Sequence, residues 1–263
     1  MHRPVGLFTD FGVAGPYLGQ VRGVLLSAAP GVPVIELMSD APACRPRPSA
    51  YLLAALAPEW PAEMVVMAVV DPGVGGERLP LIAEIDGRWF VGPDNGLFEL
   101  LIRRAVQVRC WTITWRPQRL SASFHGRDLF APVAARLAQG EAPETIGAQA
   151  AEPQRFDWPD DLPEIVYGDS YGNAMTGLRA SALPADAVLD VGGASVRRAR
   201  TFADTAPGGA FWYENSIGLV EIALSEGSAM KAFGLEIGRV IAVSRCDATH
   251  LHENTDAPAW RNS

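Results

Sequence analysis

Residues 64–70 constrain the fold more than any other part of the sequence, because they form an unbroken apolar run (MVVMAVV) that stops at Asp71-Pro72-Gly73. The run is shorter than most helices, and such valine-rich runs are typical of strands that are covered on both faces. Strand-like runs and segments of helical spacing alternate before it, at residues 4–9 (strand), 18–28 (helix), 32–37 (strand) and 49–57 (helix). This alternation predicts an α/β domain with a mainly parallel sheet.

The same pattern continues after the apolar run. Residues 81–85 and 89–91 predict a hairpin around Asp86-Gly87. Helices are expected after the Pro93-Asp94-Asn95-Gly96 turn and after His125-Gly126-Arg127. These elements complete the predicted first domain.

A polar, proline-rich stretch at residues 140–163 separates two regions of different pattern. Within it, residues 151–163 are the predicted linker. Residues 164–263 consist mostly of short strand-like runs between glycine turns and end in a polar tail from Cys246. The expected fold class is therefore an α/β N-terminal domain, residues 1–150, with a mainly parallel sheet, followed by a smaller, mostly-β C-terminal domain, residues 164–263.

The charge of the chain argues against some classes of partner. The formal net charge is −8 and the sequence pI is about 5.0. An acidic surface disfavours general binding to nucleic acid or to anionic membranes. No apolar stretch approaches the length that spans a membrane, and no signal peptide is visible, so we expect a cytoplasmic protein.

The cysteines and histidines give no metal or disulfide signature. Cys44, Cys110 and Cys246 lie far apart and form no CxxC pair. Their number and spacing argue against a disulfide framework and a structural zinc site, and they favour a reducing compartment. His250 and His252 stand alone in the tail, so no histidine pair has the spacing and surroundings of a metal site.

Four residues with catalytic chemistry lie next to predicted strand ends or helix starts: Asp10, Asp71, Arg78 and His125. The carboxyl ends of the strands of an open α/β sheet form its ligand crevice, so these side chains are candidates for one site. Each residue alone also has a purely structural interpretation, such as a helix cap for an aspartate. The set carries more weight than any one of its members.

Several familiar motifs are matched only in part. Asp10-Phe11-Gly12 spells the kinase metal-binding triplet, but no glycine-rich loop or catalytic loop precedes it. Residues 73–78 place Arg78 where GxGxxG needs its last glycine, and no Gly-Lys-Ser/Thr follows for a Walker A loop. Residues 168–173 and 214–223 are rich in polar residues that are also ordinary hairpin-turn residues. These residues alone leave the function open.

Taken together, the segments resemble the S-adenosylmethionine (SAM) hydroxide adenosyltransferase family, which is related to the fluorinase and chlorinase enzymes. The motifs that carry the resemblance occur in order over nearly the whole chain: Thr9-Asp10-Phe11-Gly12, Val70-Asp71-Pro72-Gly73-Val74-Gly75 with Arg78, Gly92-Pro93-Asp94-Asn95-Gly96-Leu97, Phe124-His125-Gly126-Arg127-Asp128, Asp169 to Asn173, Thr201-Phe202-Ala203-Asp204, and Asn215-Ser216 with Glu221. The resemblance implies a homotrimer with active sites between the N-terminal domain of one subunit and the C-terminal domain of the next. It also implies hydrolysis of SAM to adenosine and methionine by attack of water on the ribose C5′, with no cofactor and no metal.

The resemblance implies a role for each matching position. Asp71, Arg78 and His125 correspond to the family's water-handling triad, and which of them is the base stays open. Asp10 corresponds to the ligand of the ribose hydroxyls, since a carboxylate accepts two hydrogen bonds from a vicinal diol. The other implied substrate-binding residues are Asp169 for the methionine ammonium, Asn173 for adenine, Ser216 for the methionine carboxylate, Phe124 and Phe202 as apolar walls, and Glu221 and Leu224 along the adenine and amino-acid ends.

The sequence departs from the related enzymes at two places. Ile217 stands where the halogenases carry an arginine, so the methionine carboxylate is expected to be held differently. Ala43 lies in the region where the fluorinase has a tryptophan, and residues 43–48 (ACRPRP) cannot be aligned.

Two other functions stay open on the sequence. One is a metal-dependent phosphohydrolase with Asp10, Asp71, His125 and Asp128 as metal ligands. The other is a sensor that binds SAM or a nucleoside without turnover.

Overall fold

Two seven-stranded mixed sheets organise residues 2–245, the part of the chain that the computed structural model describes. The predicted polar tail, which contains Cys246, His250 and His252, lies outside these residues. The first sheet consists of β1 (Val5–Thr9), β2 (Val34–Met38), β3 (Val65–Val69), β4 (Pro80–Ile85), β5 (Arg88–Pro93), β6 (Val108–Ile113) and β7 (Ala148–Ala150). Its helices are α1 (Tyr17–Ala28), α2 (Pro46–Leu56), α3 (Glu99–Arg104), α4 (Ala131–Ala138) and α5 (Pro143–Ile146).

The first sheet is half parallel and half antiparallel. Its strand order is β2-β1-β3-β5-β4-β6-β7. The pairs β1·β2, β1·β3 and β3·β5 are parallel, whereas β4·β5, β4·β6 and β6·β7 are antiparallel. The prediction of an α/β sheet with mainly parallel strands is therefore not confirmed. The predicted hairpin at Asp86-Gly87 reverses the chain direction, and β6 then pairs with β4 in the antiparallel sense.

The apolar run at residues 64–70 forms the buried central strand that its composition predicts. Every residue of β3 is buried. Val65, Met67 and Val69 face a core that contains residues of α1 and α4. The alternate residues Val66 and Ala68 face a second core formed with α2 and α3. Both faces of the strand are covered by helices, which explains why no polar residue interrupts it.

The second domain is mostly β, as predicted. Its strands are β8 (Leu162–Gly168), β9 (Ala174–Arg179), β10 (Ala187–Val191), β11 (Ala194–Arg198), β12 (Ala210–Glu214), β13 (Leu219–Leu224) and β14 (Ala242–Arg245), with one short helix, α6 (Ala229–Ala232). They lie in the order β14-β10-β11-β12-β13-β9-β8, and only β11·β12 is parallel among these described strands.

Residues 140–163 are more ordered than their composition suggests. α5 and β7 occupy much of their first half, and β7 pairs with β6 of the first sheet. β8 already begins at Leu162, inside the predicted linker. The domain boundaries drawn at 1–150, 151–163 and 164–263 stay a prediction. No helix within residues 2–245 is both long enough and apolar enough to cross a membrane.

A buried carboxylate ties residues 151–163 to the first domain. Glu99, at the start of α3, is almost fully buried and accepts hydrogen bonds from Arg103 Nη2 (3.0 Å), Arg155 Nη2 (2.9 Å) and the backbone N–H of Phe156 (3.2 Å). Burial by itself would raise the pKa of Glu99, but the hydrogen bonds from Arg155, Phe156 and Arg103 outweigh it and hold the pKa below its usual value. The charged form of Glu99 therefore stabilises the junction between the domains.

We expect Glu99→Gln to lower the free energy of unfolding at pH 7 by roughly 2 kcal/mol, because Arg155 loses its carboxylate partner and Arg103 keeps only the exposed Asp160. The lowered pKa means that this contribution is present above the unfolded pKa of glutamate and is lost as the pH falls through the folded value. Urea unfolding from pH 7 to pH 3 should therefore show the mutant and the parent converging in acid. Glu214→Gln is the control, since the Arg198–Glu214 pair (3.4 Å) is exposed. Equal losses in both variants would contradict the role of Glu99.

Candidate functional site

Asp10 and Asp71 meet at the carboxyl edge of the first sheet. Each follows the end of a strand, and the strands β1 and β3 are parallel neighbours in which Thr9 pairs with Val69. Both carboxylates line one cavity of about 240 Å³ together with His125. Burial raises the pKa of Asp10, and the charge of Asp71 adds to this rise. The adjacency of parallel strand ends, read from the sequence, is thus confirmed for these two residues.

The loop between Asp71 and Arg78 folds back on itself and pairs its own ends. Hydrogen bonds from Val74 N to Asp71 O (3.3 Å) and from Gly76 N to Gly73 O (3.0 Å) close two successive turns. Arg78 Nε then donates to both carboxylate oxygens of Asp71 at 2.9 and 3.0 Å, and Nη2 donates to Oδ2 as well. The two side chains are only 10% and 5% exposed, so the pair is a nearly desolvated, charge-assisted fork.

One glycine makes this loop possible. Gly75 has φ of +78°, and a Cβ there would lie 2.5 Å from the carbonyl oxygen of Ala122. Both the left-handed conformation and the close backbone approach exclude a side chain. The loop therefore packs directly against the segment that leads to His125.

His125 completes a cluster with Asp71 and Arg78. Arg78 Nη2 lies 2.9 Å from His125 Nδ1. A guanidinium only donates hydrogen bonds, so Nδ1 accepts and the ring proton resides on Nε2. Burial lowers the pKa of His125, and the positive charge of Arg78 lowers it further. At neutral pH the ring is uncharged and presents an N–H donor on the side opposite Arg78.

The chain around His125 departs from a regular α-helix. Residues 126–130 form a single π-helical turn that leads into α4, at the place where the sequence predicts a helix. A Cβ on Gly126 would lie 2.7 Å from the Phe11 ring and 3.3 Å from the Phe124 ring. These close contacts fix the backbone next to His125. Single π-turns of this kind are frequent at functional sites.

Asn95 is a positioning contact that sequence reasoning did not assign. Its side-chain Nδ2 donates to the carbonyl oxygen of Val70 at 2.9 Å, on the peptide unit that precedes Asp71. Its Oδ1 accepts from the Leu97 N–H at 3.3 Å. The Gly92–Leu97 motif therefore holds the end of β3. The motif itself was the only available signal, because Asn95 lies 25 residues from its partner.

Aromatic rings form the apolar wall of the first cavity. The Phe124 ring, predicted to be such a wall, contacts Phe11 edge-on at 5.6 Å between centroids and Tyr17 at 5.3 Å. Phe11 and Tyr17 line the same cavity and were not predicted. Tyr17 is half exposed at the first turn of α1, where a sequence gives no reason to distinguish it from any surface tyrosine.

The other predicted site residues line a second cavity, of about 780 Å³, in the C-terminal domain. They are Asp169, Asn173, Phe202, Ser216, Glu221 and Leu224. Among the described residues this cavity and the cavity of Asp10 share no lining residue. The structure therefore assembles the predicted residues into two groups within one chain.

Two carboxylates of the second cavity are held by neutral donors. Asp169 accepts from the backbone N–H groups of Tyr171 (2.9 Å) and Asn173 (2.8 Å), and from Asn173 Nδ2 (2.9 Å). Glu221 accepts from the Tyr213 hydroxyl (2.7 Å) and from Asn215 Nδ2 (2.8 Å). Burial raises the pKa of Glu221, and the nearby charge of Asp169 adds to that rise. The two carboxyl groups thus line the cavity within range of each other's charge.

The second cavity has an aromatic side as well. Phe202 remains 40% exposed and meets Phe211 edge-on, with 5.0 Å between centroids. Tyr213 lies 5.6 Å from Phe202 and places its hydroxyl on Glu221. Sequence reasoning missed Tyr213 and treated Asn215 only as part of a motif. The strand alternation of β12 was the signal that could have placed Tyr213 on the Glu221 side, since the two residues pair across β12 and β13.

Ile217 belongs to a groove beside the second cavity. Ser216 and Met175 line both, whereas Ile217 and Tyr167 line only the groove. Tyr167 donates its hydroxyl proton to Asp40 Oδ2 at 2.8 Å, which joins the two domains there. The methionine carboxylate that Ser216 is predicted to bind would thus lie beside an apolar residue at position 217.

The proposed metal quartet of a phosphohydrolase is not brought together as a ligand set. Asp128 is engaged by Arg127 Nε (2.6 Å) and by the Ser121 N–H (2.8 Å), and Asp71 by Arg78. Among residues 2–245, no group of three or more His, Cys, Asp or Glu side chains could hold a metal ion. Cys44 and Cys110 are free thiols, one exposed and one buried.

Comparison with known proteins matches nearly the whole chain to a single family. Family models described as the SAM hydroxide adenosyltransferase N-terminal and C-terminal domains match residues 5–147 and 163–242. A protein of Thermus thermophilus named (R)-S-adenosyl-L-methionine hydrolase is 39% identical over 254 residues, which cover 90% of this chain and 97% of that protein. One of the same name from Salinispora arenicola is 36% identical, covering 91% and 97%.

Two solved structures share the fold. A conserved hypothetical protein from Thermus thermophilus superposes with a TM-score of 0.75 at 37% identity and covers 92% of this chain and 100% of its own. An uncharacterized conserved protein from Thermotoga maritima superposes with a TM-score of 0.83 at 25% identity and covers 91% and 100%.

The state of His125 can be measured directly. We expect ¹⁵N NMR at pH 7 to show a neutral ring with its proton on Nε2. Arg78→Ala should raise the pKa of His125, because a nearby positive charge is removed while Asp71 remains. Arg116→Ala is the graded control and should raise it less, since Arg116 contributes less to the lowering. A charged ring at pH 7 in the parent protein, or a proton on Nδ1, would contradict the cluster.

Proposed function

Because the chain belongs to the SAM hydroxide adenosyltransferase family, we propose that it hydrolyses SAM to adenosine and L-methionine by in-line attack of water on the ribose C5′. The observation that carries the proposal is the Asp71–Arg78–His125 cluster, whose Asp71 and His125 line one cavity with Asp10. Family membership and the names of the relatives support an enzyme over a sensor. Those names specify the R configuration at sulfur, and we extend this preference to the present chain.

The leaving group of this reaction needs little catalytic assistance from the protein. The sulfonium of SAM departs with the electron pair of the C5′–S bond as a neutral thioether, so no acid has to protonate it. The remaining task is to place one water behind C5′ and to accept its proton. Alignment of this kind lowers barriers by roughly 7–11 kcal/mol in the best cases.

The cluster divides this task between its members. His125, with its proton on Nε2, donates a hydrogen bond to the oxygen of the attacking water. Asp71 accepts the proton of that water, since a carboxylate oxygen that receives the Arg78 N–H bonds keeps a further lone pair. Arg78 fixes both partners and never loses its own proton. Asp10 binds the ribose hydroxyls and so aligns C5′ with the water.

The second cavity supplies the rest of the substrate site. Asp169 pairs with the methionine ammonium, Asn173 reads adenine, and Ser216 binds the methionine carboxylate. Phe202 and Leu224 contribute apolar walls, as Phe124 does in the first cavity. The carboxyl groups of Asp169 and Glu221 in this cavity suit a substrate with a sulfonium and an ammonium group.

The active site is shared between subunits of a homotrimer. The first cavity, at about 240 Å³, is smaller than the roughly 300–1,000 Å³ of ordinary ligand pockets. The second cavity of the same chain shares no described lining residue with it. Both facts support a site in which the first cavity of one subunit closes on the second cavity of the next. A cytoplasmic location, the absence of a cofactor and the absence of nucleic-acid binding stay predictions from the sequence.

Hydrolysis with water as the nucleophile is tested by isotope labelling. Turnover of the R diastereomer of SAM in ¹⁸O water should place the label on the 5′ oxygen of adenosine, and added chloride or fluoride should give no 5′-halo product. Arg78→Ala and His125→Ala should lower kcat by roughly 100-fold with smaller changes in KM, because His125 binds the attacking water and Arg78 fixes Asp71 and His125. Adenosine without label, or mutants that turn over at the parental rate, would overturn the assignment.

A shared site predicts complementation between subunits. Asp10→Ala disables the first cavity and Asp169→Ala the second, so each variant alone should be nearly inactive. Random co-assembly of the two leaves about a quarter of the interfaces with both halves intact and should restore about a quarter of the parental activity.

The matched control pairs two variants of the same cavity, Asp10→Ala and His125→Ala, which cannot complement at a shared site. No recovery in the test pair would show that each site is built within one subunit, and recovery in the control pair would show that Asp10 and His125 do not act in the same cavity.

A further inference from the structure

The loop between β2 and α2, residues 39–45, forms three hydrogen bonds with the end of β1 and the residues that follow it. Gly12 N donates to the Ser39 carbonyl at 2.6 Å, and Ala41 N donates to the Thr9 carbonyl at 3.1 Å. The Cys44 N–H donates to Asp10 Oδ2 at 2.8 Å. The loop therefore fixes both the backbone around Asp10 and its carboxylate.

Cys44 adopts a conformation that its residue type disfavours. Its φ is +57°, in the left-handed region that non-glycine residues seldom occupy. Such a conformation persists where surrounding contacts determine it, and it frequently marks a functional position. Here it aims the backbone N–H at Asp10. Contacts between the loop and residues outside it are therefore expected to stabilise the left-handed conformation of Cys44.

The next residue reaches the C-terminal domain. Arg45 Nη1 donates to the carbonyl oxygen of Ile237 at 2.5 Å. The carbonyl of Arg45 accepts from Ser49 N (3.3 Å) and Ser49 Oγ (2.8 Å), which ties it to the first turn of α2. Arg47 adds an ion pair with Glu164 at 3.4 Å. Through Arg45 and Arg47, the segment ACRPRP thus contacts both α2 and the C-terminal domain.

We propose that Arg45 is a positioning residue for Asp10: by binding the Ile237 carbonyl it holds the turn whose Cys44 N–H orients the carboxylate that takes the ribose hydroxyls. The proposal rests on the proposed function only in that Asp10 is the ribose ligand. It gives the segment that cannot be aligned with the halogenases a role in substrate binding, and it makes the C-terminal domain contribute to the first cavity of its own subunit.

The charge state of Asp10 depends on the same contact. Burial raises the pKa of Asp10 and the field of Asp71 adds to this, whereas the hydrogen bond from Cys44 opposes both. The other titratable side chains that line the cavity are those of Tyr17, Cys44 and His125, and the imidazole is neutral at pH 7. Loss of the Cys44 hydrogen bond therefore raises the pKa of Asp10, so the carboxylate that binds the diol is lost at a higher pH than in the parent protein.

The experiment is calorimetric binding of adenosine between pH 4 and 8, together with SAM kinetics. Arg45→Ala should raise the adenosine Kd and the SAM KM by roughly tenfold at pH 7, leave kcat within about twofold, and move the acid midpoint of adenosine binding upward. Arg45→Lys should restore part of the affinity, since an ammonium also donates to a carbonyl. Arg104→Ala is the matched control, because Arg104 donates to the Asp160 carbonyl at 2.9 Å without touching the loop.

A second pair of variants tests the turn if Arg45→Ala does not fold. Cys44→Gly accepts the left-handed conformation and should lose less adenosine affinity than the β-branched Cys44→Val, which should show the weaker binding and the raised midpoint. Parental affinity and midpoint in Arg45→Ala, or equal losses in Arg45→Ala and Arg104→Ala, would overturn the proposal.

The two proposals fail in different ways. A parent protein that binds adenosine but forms none from SAM would contradict the proposed hydrolysis, and the Arg45 proposal would still stand. A parent protein that forms adenosine from SAM but does not bind adenosine, with an unchanged SAM KM in Arg45→Ala, would overturn the Arg45 proposal and leave the hydrolase to stand.

Discussion

The bidentate pair of Arg78 with Asp71 is the interaction on which the site depends. It is nearly desolvated, and both of its partners come from one loop that leaves and re-enters the sheet. A buried pair of charges costs desolvation energy that only good geometry offsets. The loop turns, the glycine that contacts Ala122 and the Asn95 hydrogen bond supply that geometry. Once the guanidinium is fixed, the tautomer of His125 follows from it, because Nδ1 faces a group that only donates.

The two cavities differ in the chemistry they offer. The first is lined by the carboxyl groups of Asp10 and Asp71 and by the neutral imidazole of His125, and Arg78 fixes Asp71 and His125, which suits a polarised water. The second holds two carboxylates by neutral donors only, which suits a ligand of positive charge. An enzyme that transfers C5′ from a sulfonium to a water needs both environments, and the two cavities lie on different domains.

The sequence predicted the central strands and helices because their apolar runs leave few alternatives. Residues 64–70 were expected to be covered on both faces, and every residue of β3 is indeed buried. The mixed character of the sheet was missed, because β6 gives no sign in its sequence of which neighbour it will pair with or in which direction. Asp10, Asp71, Arg78 and His125 were candidates from their places at predicted strand ends and helix starts, whereas the individual roles of the site residues came from the family resemblance. Asn95 and Tyr213 were missed, since the motif around Asn95 and the strand alternation of β12 do not by themselves identify the partner that the folded chain brings near.

The two edges of the first sheet have a consequence for how the molecule behaves in a crowded solution. An unpaired edge strand offers free N–H and C=O groups to any other chain. One edge, β7, is only three residues long. The other, β2, carries Glu36 in an ion pair with Arg22 on α1, so a charged side chain sits where a foreign strand would have to dock. The sheet thus ends in positions that resist strand-by-strand aggregation while the protein is at high concentration.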